Sequence, residues 1–198
     1  HKKKKLICSK VKWISNISNL TNDPVIIIAN EFFDALPIKQ FIYKNQKWFE
    51  RYVEIDKFNK TKFLDIKTKL PDFKKICKID IAKNQKFIEF SLPIVNYIKT
   101  ASKIINKNNG GLICFDYGYT QNKMFNSLQS VKKHRSSHIL SDPGNQDITH
   151  LVNFTFLEKL SNQYKLDTEK IITQGKFLKI MGIIERANTL SKNKNFKE

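Results

Sequence analysis

Three polar side chains come directly after a short apolar run near the start of the chain. Asn30, Glu31 and Asp34 follow the branched apolar residues 25–28. Carboxylates in such a cluster can orient an amine or a guanidinium, balance its positive charge and accept its proton. The two acids could instead only cap the turn before Pro37, so the residues alone leave both roles open.

A third carboxylate stands in an equivalent position after a second apolar run. Residues 112–115 are LICF, and Asp116, Tyr117 and Gly118 follow them. Open α/β sheets bind ligands at the carboxyl ends of their parallel strands. If both runs are parallel strands, their carboxylates form the rim of one candidate site.

Two strands and one helix must position these acids. The uninterrupted apolar runs at 25–28 and 112–115 are typical of parallel strands buried on both faces. Between them, apolar residues recur at helical spacing over 94–105, Ser91 precedes them and two glycines follow. This pattern predicts a helix over 92–108. A helix that leads into a parallel strand indicates an α/β fold.

Other segments predict an antiparallel sheet and further helices. Residues 41–43 and 48–55 are rich in aromatic and branched side chains and flank four polar residues. They indicate a hairpin with a four-residue loop, and 63–66 a third antiparallel strand. Further along we predict an extended loop at 119–150, a helix at 155–164 capped by Asn153 or Thr155, a strand at 170–173 and helical residues at 176–186.

The charge of the chain is strongly positive and allows two interpretations. The 198 residues suffice for one domain with elaborations, and they carry a formal net charge of +18. Nucleic acid is a common partner for such a balance. Yet only three of the 36 basic residues are Arg, the residue that reads bases and phosphates with paired hydrogen bonds. Because Lys, Ile and Asn all have AT-rich codons, a genomic base bias explains the same composition.

The remaining reactive residue types predict no metal or redox site. Cys8, Cys77 and Cys114 are far apart, and we expect reduced, buried thiols. His134 and His138 have the spacing of a helical metal pair but lack the surrounding ligands, so we expect loop histidines. No apolar run reaches the roughly 18 residues that a membrane-spanning helix needs.

Several longer motifs resemble one known family. The stretch ANEFFDALPIKQF at 29–41 resembles the signature of the MidA-like family of S-adenosylmethionine-dependent methyltransferases. GGLICFDYGY at 110–119 and the later motifs SLQSVKKH, DPGNQDITHLVNF and TQGKFL are also similar, in the same order and with similar spacing. The resemblance covers residues 11 to about 190. The family includes the mitochondrial complex I assembly factor that methylates a protein arginine.

The resemblance implies a fold. It is the α/β, class I (Rossmann-like) methyltransferase sheet, with residues 40–67 as an inserted antiparallel meander. This chain resembles the C-terminal portion only, so the first two strands of the family's sheet would be missing. We therefore expect a partial methyltransferase domain over residues 1–190 and a frayed tail over 191–198.

The resemblance also implies roles for the site residues. Asn30, Glu31 and Asp34 would be catalytic, orienting a substrate arginine, and Asn30 would also face the cofactor, S-adenosyl-L-methionine. Asp116, Tyr117 and His134 would line the substrate pocket, although Asp116 could instead position Asn30 or merely hold its loop. Glu89 resembles a family position that we expect to be structural. These sequence motifs predict no metal ligand.

One part of the family's cofactor site has no counterpart in this sequence. The six glycines form no GxGxG arrangement ahead of a helix, so the glycine-rich cofactor loop is missing. We expect the chain to be inactive alone and to need a complementing N-terminal fragment. The expected substrate is a protein arginine, for instance in a respiratory complex I subunit. The expected location is the bacterial cytoplasm or, in a eukaryote, the mitochondrial matrix.

A different class of protein remains as the alternative. It is a basic α/β module without catalytic activity, which binds nucleic acid or acts as an assembly partner. Under the resemblance, nucleic acid is not expected as a partner.

Overall fold

A computed structural model describes residues 11–20, 22–58, 60–133, 135–142 and 144–192. The chain divides after Asp167 into two compact units. The extent predicted from the resemblance, one partial domain over 1–190, is not tested by this division and stays a prediction. Of the predicted tail, residues 193–198 lie outside the described residues.

Short strands outnumber helices in the first unit. After a 3-10 helix at Ile17–Asn19, its elements in chain order are β1 (Ile26–Asn30), β2 (Lys39–Lys44), β3 (Lys47–Ile55), β4 (Thr61–Thr68), α1 (Phe73–Cys77), β5 (Phe87–Phe90), α2 (Leu92–Asn108), β6 (Gly111–Phe115), β7 (Gly118–Tyr119), β8 (Gln129–Lys132), β9 (Arg135–Ser136), β10 (Asp147–Thr149), β11 (Val152–Asn153) and α3 (Phe154–Gln163). The second unit contains α4 (Gln174–Ile180) and α5 (Ile183–Ser191).

The two strands that carry the predicted site pair with each other in parallel. β1 and β6 are in register from Ile26 opposite Gly111 to Asn30 opposite Phe115. The burial predicted for both faces of β1 is wrong, because its residues alternate between buried and exposed. Ile26 and Ile28 keep 73% and 67% of their surface exposed. Among the described residues, β1 pairs with no strand except β6.

The helix between these strands has the predicted bounds. The Ser91 hydroxyl accepts a hydrogen bond from the Ile94 N–H at 3.3 Å and caps its start. Asn109 ends the helix in the left-handed conformation, with φ of 54°. The next residue, Gly110, does not cap the helix but allows a close backbone contact. A Cβ there would lie 2.1 Å from the Val25 carbonyl oxygen. Its missing side chain lets the helix lead into β6 alongside β1.

The antiparallel strands predicted after β1 are present. They form a four-stranded sheet in the order β4-β3-β2-β5, which also recruits the strand before α2. The β2–β3 turn has two residues rather than four, because Lys44 already pairs with Lys47. Asn45 and Gln46 both have positive φ, as tight hairpin turns require. The interpretation of this sheet as an insertion in the family's fold stays a prediction.

One apolar core joins the antiparallel sheet to the helices. Its largest fully buried side chains are Phe33, Phe41, Ile88, Ile98 and Leu160. A second, smaller cluster packs Ile27 of β1 against Ala101 and Ile105 of α2. Phe33, in the loop after β1, is itself part of the larger core.

Residues 119–150 are more ordered than the predicted extended loop. They contain a three-stranded antiparallel sheet in the order β10-β8-β9. Each of these strands has only two to four residues, too few for a periodic signal in the sequence. Next to this sheet, β7 pairs in parallel with β11. A Cβ on Gly118 would lie 2.2 Å from the Val152 carbonyl oxygen, so this pairing requires glycine.

The C-terminal helices confirm some predicted features and correct others. Asn153 caps α3 by accepting a hydrogen bond from the Phe156 N–H at 3.0 Å. The strand predicted at 170–173 is absent, since α4 begins after irregular residues. The helical pattern at 176–186 is split by Gly182, whose φ is 78°.

Candidate active site

The carboxyl ends of β1 and β6 lie side by side, as the sequence predicted. The Glu31 N–H donates to the Phe115 carbonyl at 2.9 Å, which continues the pairing by one residue. Glu31 then adopts a left-handed conformation with φ of 46°, rare for a residue with a side chain. The chain therefore turns sharply out of β1 just before the loop with Phe32, Phe33 and Asp34.

The Asp116 carboxylate holds this loop. Its Oδ2 accepts backbone hydrogen bonds from Phe32 at 3.2 Å, Phe33 at 3.0 Å and Asp34 at 3.3 Å. Its Oδ1 accepts from the Tyr117 N–H at 2.9 Å. Convergent backbone amides form a natural anion site, here filled by a side chain of the same protein. Asp116 is therefore a positioning residue, and its predicted contact with substrate stays a prediction.

Aromatic packing fixes the loop from its inner side. The ring of Phe32 lies 4.7 Å from that of Tyr97 on α2, and the ring of Phe33 lies 5.5 Å away. Phe33 is fully buried. The two phenylalanines of the NEFFDAL motif are thus core residues that anchor the loop to the helix.

Asp34 is the buried acid of the site. It is 7% exposed, and its Oδ1 has no hydrogen-bond partner among the described residues. Burial raises the pKa of Asp34 above the ordinary 3.8, and the carboxylates of Asp116 and Glu31 raise it further. A backbone hydrogen bond with Ala35 and the proximity of His150 act in the opposite direction. The balance favours proton uptake by Asp34.

The other predicted residues are more exposed. Asn30 and Glu31 have exposed side chains at the edge of the parallel pair. Tyr117 is 60% exposed, and its carbonyl accepts a hydrogen bond from the Val152 N–H at 2.8 Å. His134 lies outside the described residues. The structure thus brings Asn30, Glu31, Asp34 and Asp116 to one edge of the parallel pair.

Sequence reasoning assigned no role to His150, which the structure places next to Asp34. Its backbone N–H donates to the Asp34 carbonyl at 3.0 Å, and the residue is only 5% exposed. The ring Nε2 has no hydrogen-bond partner among the described residues. No spacing rule could have found this neighbour, because the two residues are more than a hundred positions apart.

A cleft opens beside this pair. It has a volume of about 260 Å³. Its lining includes Asp34, Gln40, Arg51, Tyr52, Phe63 and His150. A larger pocket of about 490 Å³ is lined by residues such as Gln85, Asn122 and Lys159 and by no residue of the parallel pair's edge. The Gln85 side chain donates to the Asn122 backbone carbonyl, and Lys159 donates to the Asn122 side-chain oxygen.

Glu89 has the structural role that the sequence analysis expected. Its carboxylate accepts hydrogen bonds from the Gln40 side chain at 2.8 Å and from the Ser127 N–H at 2.9 Å. The Ser127 hydroxyl in turn accepts from the Leu151 N–H at 3.0 Å. This network ties the segment that carries His150 to β2 and β5.

Neither a nucleophilic thiol nor a metal cluster stands out at this edge. Burial, followed by the charges of Asp116 and Asp34, raises the pKa of Cys114 to about 12, so the thiol stays protonated at neutral pH. Within the part of the chain that the structure describes, no group of three or more His, Cys, Asp or Glu could hold a metal ion.

Among the helices of the described residues, none is long and apolar enough to cross a membrane.

Residues 1–172 match the family model described as "Putative S-adenosyl-L-methionine-dependent methyltransferase". The protein arginine methyltransferase NDUFAF7, mitochondrial, of Danio rerio is 28% identical over 180 residues, covering 91% of this chain and 42% of that protein. For its Homo sapiens counterpart the identity is 27%, with coverage of 93% and 41%. The chain thus spans less than half the length of these relatives.

A solved structure supports the same fold. The crystal structure of a COG1565 superfamily member from Burkholderia thailandensis, bound to S-adenosyl-homocysteine, aligns with a TM-score of 0.70 at 20% identity. The alignment covers 88% of this chain and 46% of that one. At this identity the likeness establishes an α/β methyltransferase fold. None of these matches supports the alternative of a nucleic-acid-binding module.

Replacing Asp116 tests its role as the anchor of the loop. We expect Asp116→Asn to lower the free energy of unfolding by about 1–3 kcal/mol, because three backbone N–H groups lose a charged acceptor. Urea unfolding followed by circular dichroism measures the change. Asp147→Asn, at an exposed position on β10, is the control and should change little. Equal stability of Asp116→Asn and wild type would contradict the anchoring role.

Replacing Asp34 should have the opposite effect on stability. We expect Asp34→Asn to raise the free energy of unfolding at pH 7 by about 1 kcal/mol, because a buried charge close to two other carboxylates is removed. The raised pKa of folded Asp34 means that the wild type loses stability as the pH rises through that pKa. The gain should therefore shrink as the pH is lowered toward 3.8 in a series of unfolding measurements. A destabilised Asp34→Asn protein at pH 7 would refute this account.

Proposed function

Because the chain belongs to the MidA-like family of S-adenosyl-L-methionine-dependent methyltransferases, we propose that it supplies the substrate-facing part of a protein arginine N-methyltransferase. The observation that carries the proposal is the acidic edge built by β1 and β6. Asp116 orients the loop there, and the buried Asp34 keeps one carboxylate oxygen without a hydrogen-bond partner in the described part of the chain. Such an edge suits a cationic substrate group.

The residues present fit one side of the cofactor. S-adenosyl-L-methionine supplies a methyl group on a positively charged sulfur. The carboxylates of Glu31, Asp34 and Asp116 make this edge favourable for a cation, and Asn30 would offer its amide there. The residues that would hold the ribose and adenine are not expected among these 198, since no glycine-rich loop is present.

The chain's own carboxylates would do the acid–base work. Glu31 is exposed at the edge and can accept hydrogen bonds from a guanidinium as it arrives. Asp34 Oδ1 is the atom that would take the proton released when a guanidinium nitrogen gains a methyl group. The raised pKa of Asp34 strengthens its affinity for that proton.

The exposed face of β1 is where the rest of such an enzyme would pack. Ile26 and Ile28 present a bare apolar surface on the strand that leads to the site. We propose that the part of the family's length not spanned here covers this face. This remaining part of the enzyme, on the same polypeptide or on a separate one, would bring the glycine-rich loop to Asn30.

The names of the relatives suggest the substrate and the location. They are mitochondrial protein arginine methyltransferases, so we propose a protein arginine as the methyl acceptor. For a eukaryotic source, we propose a mitochondrial location and a respiratory complex I subunit as the protein that carries this arginine.

The first experiment addresses the exposed face. The chain alone should show no binding of S-adenosyl-L-methionine by calorimetry, and co-expression with the N-terminal part of a bacterial relative should restore binding. Ile28→Lys should prevent this association, because a charge cannot be buried against an apolar partner. Ile66→Lys is the matched control, since Ile66 is 47% exposed on β4 of the antiparallel sheet. Tight cofactor binding by the chain alone would show that the cofactor site does not need a second part.

The second experiment addresses the acids in the complemented enzyme. With an arginine peptide and radiolabelled S-adenosyl-L-methionine, Glu31→Gln and Asp34→Asn should each lower turnover about 100-fold while the fold stays intact. Glu169→Gln, at an exposed position of the second unit, is the control and should leave turnover unchanged. Wild-type rates in both site variants would remove these residues from the chemistry.

A further inference from the structure

Asp34 and His150 both line the cleft, and each has a buried hydrogen-bonding atom without a partner among the described residues. Asp34 Oδ1 and His150 Nε2 have no partner among the described residues, although both side chains are more than nine-tenths buried. The backbone hydrogen bond from His150 to the Asp34 carbonyl keeps the two residues adjacent. Buried polar atoms are normally satisfied, so a polar ligand is expected at this point.

The hydrogen bonding of the imidazole determines which kind of ligand fits. His150 Nδ1 lies 3.2 Å from the Leu151 carbonyl oxygen. Because a carbonyl can only accept, Nδ1 must carry the proton, and in the neutral ring Nε2 is an acceptor. The Asp34 carboxylate is also an acceptor and carries a negative charge. Two acceptors and one negative charge call for a cation with several N–H donors.

The remaining walls of the cleft suit an aliphatic stem. They include the apolar side chains of Leu36, Val53, Phe63, Leu128 and Ile148. At about 260 Å³ the cleft lies below the about 300 Å³ where pockets for whole small-molecule ligands begin, so it suits one long side chain.

Arg51, the one lysine or arginine among the described residues that line the cleft, is already engaged. It donates to both carboxylate oxygens of Asp65, at 2.9 and 3.2 Å, and lies over the ring of Phe63. Its charge is thereby offset, and it leaves Asp34 Oδ1 and His150 Nε2 to a ligand.

We propose that this cleft is the pocket for the substrate arginine and that His150 is a specificity-determining residue within it. The guanidinium would donate to Asp34 Oδ1 and His150 Nε2 at once, and its methylenes would lie along the apolar walls. A planar guanidinium can bridge two acceptors, which the compact and strongly hydrated ammonium of lysine does less well. This inference rests on the proposed function, since it names how that same site selects its substrate.

The test is a binding measurement without cofactor. Blocked arginine (N-acetyl-arginine amide), blocked citrulline and blocked lysine are titrated into the full 198-residue chain, and the ring protons of His150 are followed by NMR. Blocked arginine should shift the His150 signals and bind about tenfold more tightly than the other two, because citrulline has the same shape but no charge. Equal binding of arginine and citrulline, or no response at His150, would overturn the proposal.

Variants separate a role in recognition from a role in structure. His150→Ala and Asp34→Asn should each weaken arginine binding about tenfold and abolish the preference over citrulline. His150→Gln should restore part of it, because its side-chain carbonyl can reach the position of Nε2. His138→Ala is the matched control, an exposed histidine outside the cleft, and should bind like wild type. Arginine binding as tight as that of the wild type in His150→Ala would refute the proposal. If His150→Ala does not fold, undiminished binding by His150→Gln would refute it.

The result of the arginine-binding test does not depend on methyl transfer. Selective arginine binding by a chain that never gains methyltransferase activity would sustain the pocket and refute the proposed function. In an active complemented enzyme, His150→Ala should raise KM for an arginine peptide about tenfold with a smaller change in kcat. An unchanged KM would refute the pocket and leave the proposed function intact.

Discussion

The Asp116 carboxylate, bound by four backbone N–H groups, is the interaction on which the candidate site depends. Three of these groups belong to the loop after β1, and the fourth follows β6. One side chain therefore ties together the ends of two strands that are far apart in sequence. The three loop N–H groups that it binds directly follow the left-handed turn at Glu31, and one of them belongs to Asp34. Without this anchor, the parallel pairing would still bring the strands together but would not order the acids between them.

The same arrangement places several negative charges close together, and this has an energetic cost. Asp34 is desolvated and lies near Asp116 and Glu31, so its ionised form is disfavoured. Such a carboxylate weakens the fold while it gains affinity for a proton or for a cation. Strain and unsatisfied groups of this kind concentrate where a protein binds or transforms a ligand. His150 Nε2 is a second buried atom without a partner among the described residues, on a residue whose backbone bonds to Asp34, and the proposed arginine pocket rests on this combination.

The face of β1 opposite the core explains why one prediction about the sheet is wrong. Four consecutive branched apolar residues indicate a strand covered on both sides, yet Ile26 and Ile28 are exposed. This chain spans less than half the length of its relatives, and the proposed covering of this face by the remaining part would account for the apolar pattern.

Sequence patterns were enough to predict the helix Leu92–Asn108, the strands β1 and β6 and the antiparallel strands after them, because local periodicity, caps and β-branched runs specify such elements. The motifs were also enough to identify the family and to place Asn30, Glu31, Asp34 and Asp116 at one sheet edge, since residues that follow parallel strands meet there. Contacts in three dimensions were needed to see that Asp116 binds the loop rather than standing free, and that His150 lies beside Asp34. They were also needed to see that short strands order residues 119–150. Some of these features depend on contacts between residues 80 or more positions apart, and the others on strands of two to four residues. Neither kind of contact produces a periodic pattern in the sequence.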